Sequence, residues 1–228
     1  MDENGIKAVA LARIRREARG RVLPIVTSEF SLNGTGIRAD LALLDRGTFY
    51  GVEIKSASDT LKRLPSQMEG YARYFDQTEL IVAPKHVHGL RDIDLHGARV
   101  WRAEVLNDWQ LHAPGKSRCI SGQWLLHLLT AEDERRATRA IERQTAELSA
   151  IDIDHARRSE FERAFCKRYG ETSARFWEAV RGRPIRLDDL KLLSRYHAGR
   201  QQRREIEQER AERWATWVEA MQTPLHAV

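Results

Sequence analysis

Three charged residues stand where apolar ones would be expected. Residues 37–44 read IRADLALL and residues 48–55 read TFYGVEIK, two apolar stretches joined by Asp45-Arg46-Gly47. Together they predict a β-hairpin with Asp40, Glu53 and Lys55 set inside it. An unpaired charge removed from water is costly, so such residues in a strand need a partner or a task. Side chains alternate along a strand, which puts Glu53 and Lys55 on one face, roughly 7 Å apart, and Tyr50, Val52 and Ile54 on the other. A turn near Gly47 could bring Asp40 beside Glu53 on that same face, with the register left to the turn type. Two carboxylates suit a Mg²⁺ that keeps several waters and takes its other ligands from substrate phosphates. A lysine next to them can orient or deprotonate an attacking water, or offset charge on a phosphate in the transition state.

The elements that must carry these residues follow from the flanking text. Pro65 marks the start of a helix in which Gln67 and Tyr71, four apart, share a face with Tyr74 and Phe75 nearby. Residues 78–83, TELIVA, read as a further strand ended by Pro84. The order strand, strand, helix, strand results, preceded by a short helix over residues 5–17 with Ile6, Val9, Ala10 and Ile14 at helical spacing.

Asp40 followed after about a dozen residues by Glu53-Ile54-Lys55 resembles the signature of the PD-(D/E)XK nuclease superfamily. The wider text, EIKSASDTLKRL from Glu53 and then Gln67-x-x-x-Tyr71, is similar to a bacterial and prophage family of nuclease-like proteins of that superfamily. The resemblance covers about residues 22–90. It implies an α/β fold with a restriction-endonuclease-like αβββαβ core, Mg²⁺ or Mn²⁺ as cofactor, and DNA as substrate. Asp40 and Glu53, with the Ile54 carbonyl, are the implied metal ligands. Lys55 is the implied residue on the water, Gln67 the one that orients Lys55 or substrate, and Glu29 an added acidic residue of the kind relatives carry on the first helix. The chain departs from the motif at its proline, where Ala39 precedes Asp40.

Composition sets the outer bounds. The 228 residues suffice for a substantial core, and a net charge of +5 is compatible with a nucleic-acid partner. No run of eighteen apolar residues is present, so no membrane span is expected, and the N-terminus lacks the basic and apolar pattern of a secretory signal. Cys119 and Cys166 have no metal-ligand spacing, and the expected location is cytoplasmic. His86, His88 and His96 read as a surface loop, and Asp59, Lys62 and Arg63 as a solvated turn.

Residues 98–113 predict a closing hairpin with a turn at Asn107-Asp108, and 114–117, PGKS, a loop. A division follows there: residues 1–118 as the nuclease-like domain and 119–228 as an all-helical extension, with helices expected over 121–149, 156–181 and 187–221. Arg135, Arg136, Arg139 and Arg143, then Arg157, Arg158, Arg163, Lys167 and Arg168, could follow a phosphate backbone. Interleaved acids such as Glu132, Glu142 and Glu160 favour solvated helix faces with opposite-charge pairs instead. Trp214 and Trp217 are expected to pack on the domain or on a second subunit, which makes the helical region the candidate homodimer surface. The alternative to an enzyme is a nuclease fold kept as a DNA-binding or partner-binding subunit in DNA repair or phage–host conflict.

Overall fold

The period-2 stretches become strands. In a computed structural model, residues 2–103, 109–143, 149–194 and Trp214 are described. Helix α1 (Glu3–Glu17) starts where the Asp2 carboxylate accepts from the Gly5 N–H at 2.8 Å. Strands β1 (Ile25–Leu32), β2 (Ile37–Asp45) and β3 (Thr48–Lys55) follow, then helix α2 (Leu64–Tyr74), strand β4 (Gln77–Val82), and strands β5 (Arg99–Ala103) and β6 (Trp109–Ala113). Among the described residues these six strands form one mixed sheet in sequence order: β3, β4 and β5 run parallel, the other neighbours antiparallel. The fold is therefore mixed α/β.

The β2–β3 turn consists of Arg46 and Gly47 alone, both left-handed at φ 50° and 77°. A two-residue turn of that kind matches the twist of the flanking strands and closes the pair Asp45↔Thr48. Register is thereby set, and Leu41 pairs with Val52. Gly51 is required for a different reason: a Cβ there would meet the Phe75 ring at 2.3 Å. Its absence lets the end of α2 lie directly on β3.

Each sheet face has its own core. One joins Phe30, Phe49, Leu64, Met68, Tyr71 and Phe75, and α2 supplies Leu64, Met68, Tyr71 and Tyr74 at helical spacing. The other joins Ile6 and Leu11 of α1 to Leu41, Val52, Ile54 and Ile81. Side-chain alternation is interrupted midway along β1 and β2. Val26 and Leu41 face the α1 core, whereas Phe30 and Ala39 face the α2 core. Between them lie Glu29 and Asp40, and Glu29 has φ 57°. A left-handed residue without a glycine costs on the order of 1–3 kcal/mol and flips the side-chain sequence at that point.

After β6 come α3 (Gly122–Leu126), α4 (Ala131–Glu142) and α5 (Ala150–Ala179), then a 3-10 helix over Leu187–Leu193. The single helix expected over 121–149 is broken because Thr130 caps α4, accepting from the Asp133 N–H at 3.2 Å. α5 begins earlier than the 156 expected, at a capping box of Ser149 and Asp152. Of the helix expected over 187–221, the described portion to Leu193 is 3-10, and Trp214 is helical and exposed. The rest of that segment, Trp217 and the Asn107-Asp108 turn lie outside the described residues.

The boundary expected at 118/119 is not a break in packing; the compact unit runs from Met1 to Leu193, with Ser194–Val228 a second unit. Phe161 and Phe165 of α5 touch Phe49 at centroid distances of 4.9 and 5.3 Å. Phe176 and Trp177, further along α5, belong to the opposite core. Ser173 Oγ accepts from the Val26 N–H at 3.0 Å, so α5 covers part of the edge strand β1. Arg158, expected on a solvated helix face, is instead largely buried and donates to both oxygens of Asp76, at 3.1 and 2.8 Å. Asp76 in turn accepts from the N–H groups of Phe49 and Ile120, tying the sheet to the helical region. Other arginines pair locally as expected, including Arg136 with Glu132 and Arg163 with Glu160. Among the described residues no helix is long and apolar enough to cross a membrane.

Candidate active site

The β2–β3 ladder ends at Leu41↔Val52, yet β2 continues beside β1 and β3 beside β4. The two strands therefore part at the next position, where the register brings Asp40 opposite Glu53. The Ile54 N–H, which has lost its β2 carbonyl, donates instead to Asp40 Oδ2 at 2.7 Å. In a strand the N–H and C=O of one residue leave on the same side, so the Ile54 carbonyl also points into the fork. The neighbouring Lys55 carbonyl goes the other way and accepts from the Ala83 N–H at 2.8 Å.

Glu53 is 2% exposed, and both of its oxygens accept hydrogen bonds, Oε2 only one among the described residues. Its Oε1 accepts from Lys55 Nζ and from Gln67 Nε2, both at 2.6 Å, and its Oε2 accepts from the Tyr71 hydroxyl at 2.6 Å. The α2 spacing that puts Gln67 and Tyr71 on one face thus closes over the carboxylate. Gln67 Oε1 is buried and has no hydrogen-bond partner among the described residues, so an acceptor is left at the edge of the site. Burial, then the charges of Glu53 and Asp40, push the Tyr71 hydroxyl well above its usual range, and it stays a donor.

The turn that follows Lys55 is clamped from three sides. Asp59 accepts from the Ser56 N–H at 2.7 Å and from its hydroxyl at 2.5 Å, and His86 Nε2 lies 2.9 Å from the Ser56 carbonyl. His86 is 8% exposed. Neither the surface-loop reading of His86 nor the solvated-turn reading of Asp59 holds, because both side chains satisfy the backbone next to Lys55.

Glu29 lies on β1, not on the first helix as its place in the resemblance implied. It does reach the site. Glu29, Asp40 and Glu3 of α1 each bring one oxygen within 4.8 Å of the others. Lys7 of α1 stands among them, 3.0 Å from Glu29, 3.1 Å from Glu3 and 4.0 Å from Asp40. Arg38 Nε holds the other Glu29 oxygen at 2.6 Å. Glu3 and Lys7 were missed from the sequence: in a short helix they read as a solvated i, i+4 pair, and nothing local places them against β2.

Asp40 carries the clearest electrostatic signature. Burial first, then the nearby charges of Glu53 and Glu3, push its carboxyl up to about 8, against the pull of Lys7 and the Ile54 N–H. On Lys7, burial works downward, but Asp40, Glu29 and Glu3 outweigh it and hold the ammonium above its usual range. Facing carboxylates with too little positive charge between them are a fitting donor set for a divalent cation with oxygen ligands. Asp40, Glu53 and the Ile54 carbonyl are the groups that would hold it.

A separate concavity of about 320 Å³ lies over the other face of β3, lined by Tyr50, Val52 and Trp101 among others. Arg13 stacks on Trp101 there at 3.5 Å. None of Asp40, Glu53 or Lys55 lines it, so the chemistry-bearing groups sit in the strand fork and not in this cavity.

A family model described as bacteriophage P4 protein cII matches residues 1–194. No curated protein matches the chain. A solved protein of unknown function from Silicibacter pomeroyi is similar at 17% identity and a TM-score of 0.40, over 63% of this chain and 92% of its own.

Proposed function

The chain belongs to the bacteriophage P4 protein cII family, and for this member we propose a metal-dependent nuclease of the PD-(D/E)XK type that hydrolyses phosphodiester bonds in DNA. The observation that carries this reading is the fork between β2 and β3. There Glu53 holds Lys55, Gln67 and Tyr71 at hydrogen-bond distance, and Asp40 accepts from the N–H of Ile54, the residue next to Glu53. The element order α1-β1-β2-β3-α2-β4 supports the αβββαβ core of that superfamily, and DNA as substrate rests on the sequence resemblance.

A Mg²⁺ or Mn²⁺ held by Asp40, Glu53 and the Ile54 carbonyl would supply a Lewis acid for the phosphate and a more acidic water. The protein's own groups do the rest. Glu53 fixes the Lys55 ammonium at 2.6 Å, leaving its other N–H groups to position the attacking water and meet charge growing on the phosphate. Gln67 and Tyr71 keep Glu53 from rotating away, and the free Gln67 Oε1 can accept from a water at the scissile bond. The Asp59 and His86 clamp keeps the strand end from fraying.

Cleavage of linear, nicked, flapped, single-stranded and supercoiled DNA with Mg²⁺ or Mn²⁺, wild type beside Lys55→Ala, tests this reading. Cutting by the wild type alone supports it. Equal cutting by both refutes the assigned site. Folded protein that binds DNA and never cuts it would assign the fold to binding.

A further inference from the structure

Lys7 is a buried ammonium surrounded by acids. Its side chain is 4% exposed, so it does not reach solvent as surface lysines do. Glu29, Glu3 and Asp40 each present an oxygen 3.0 to 4.0 Å from its Nζ. Those oxygens lie within 4.8 Å of one another, which is the spacing of a set that could share one oxygen-ligated ion. Asp40 belongs to this group and also to the fork with Glu53. Asp40 thus joins the group around Lys7 to the proposed metal site beside Glu53, and Lys7 already stands in the first.

Charge balance agrees. Four carboxylates, Glu3, Glu29, Asp40 and Glu53, are met by three cationic side chains, Lys7, Arg38 and Lys55. One divalent ion more than offsets the remaining negative charge. A second beside Lys7 would crowd an ammonium and a dication onto the same oxygens.

We propose that Lys7 takes the place of a second divalent ion, so that the site binds a single metal ion between Asp40 and Glu53. This rests on the metal site of the proposed function. Lys7 is a positioning residue: it holds Glu29 and Asp40 in place with a charge that cannot exchange with solvent ions.

The test counts Mn²⁺ on the full chain at pH 8.5, by electron paramagnetic resonance of the free ion and by calorimetry. The wild type should bind one ion. Lys7→Met should bind two, and Lys7→Met combined with Glu29→Gln should return to one. Asp40→Asn should lose the single wild-type ion. Two ions on the wild type, or none, would overturn the proposal, as would a folded Lys7→Met that still binds one. Lys7→Gln, which can still donate to the carboxylates, replaces Lys7→Met if that variant does not fold. If neither folds, Lys7 is a structural counter-ion only and the proposal fails. One bound ion on the wild type and two on Lys7→Met, with no cleavage of any DNA, would sink the nuclease reading and leave the role of Lys7 standing.

Discussion

The Tyr71 hydroxyl donates to Glu53 Oε2 at 2.6 Å from a side chain with no solvent exposure, so a helix residue eighteen positions downstream completes the hydrogen bonding of the central carboxylate. Tyr71→Phe removes that donor and leaves a buried carboxylate oxygen short of a partner, a loss of about 1–3 kcal/mol. Urea unfolding should show this destabilisation. Cleavage should fall through kcat more than through KM, since Tyr71 is placed to hold Glu53 and not to meet substrate.

Lys55→Ala should lower kcat by about 10²–10³-fold, the usual consequence of losing one preorganised electrostatic group. Asp40→Asn and Glu53→Gln should abolish metal-dependent cleavage while circular dichroism stays that of the wild type. Undiminished cutting by all three variants would place the reaction elsewhere.

Asp40 makes metal binding pH-dependent. With its carboxyl held up to about 8 by burial and by Glu53, a metal ion must displace a proton below that pH. Apparent Mg²⁺ affinity should rise about tenfold per pH unit up to pH 8 and then level off. The stability effect runs the opposite way from an ion-paired Asp. Between the ordinary carboxylate pKa and about 8 the folded chain binds more protons than the unfolded one, so this group's contribution to stability falls as pH rises through that window. Thermal melts in EDTA at pH 6 and 8.5, repeated with Mg²⁺, should show the ion stabilising more at the higher pH.

His86→Ala and Asp59→Ala each free one side of the Ser56 backbone. Each should cost about 1 kcal/mol of stability and a disproportionate share of kcat, because the released turn adjoins Lys55. Cleavage that tracks the stability loss and nothing more would make the clamp merely structural.

Asp76 and Arg158 test the unity of the sheet with the helices that follow it. Asp76→Ala leaves Arg158 largely buried without its carboxylate and should cost about 3–5 kcal/mol. Chemical denaturation followed by tryptophan fluorescence and by circular dichroism should still show one coincident transition for the unit that runs to Leu193. Two separate transitions would restore a boundary near residue 118.

Local chemistry made much of the site legible in the chain. Period-2 apolar stretches gave β2 and β3, Arg46-Gly47 suited a tight turn, and Pro65 with Gln67 and Tyr71 defined a helix with one face to offer. Those signals act over a few residues, and they sufficed to propose Asp40, Glu53 and Lys55 as one group. Tertiary structure alone decided the rest. The fork exists because β2 and β3 choose different neighbours beyond Leu41 and Val52, and no local preference encodes such a choice. Glu3 and Lys7 reach Asp40 only because α1 packs on the far side of the sheet, and Glu29 turns toward them through a left-handed φ that a strand pattern does not announce. Arg158 looked like one of many surface arginines until its partner, 82 residues away, was brought beside it. Side-chain period and turn chemistry are properties of neighbours in sequence; burial, charge pairing and the parting of strands belong to neighbours in space.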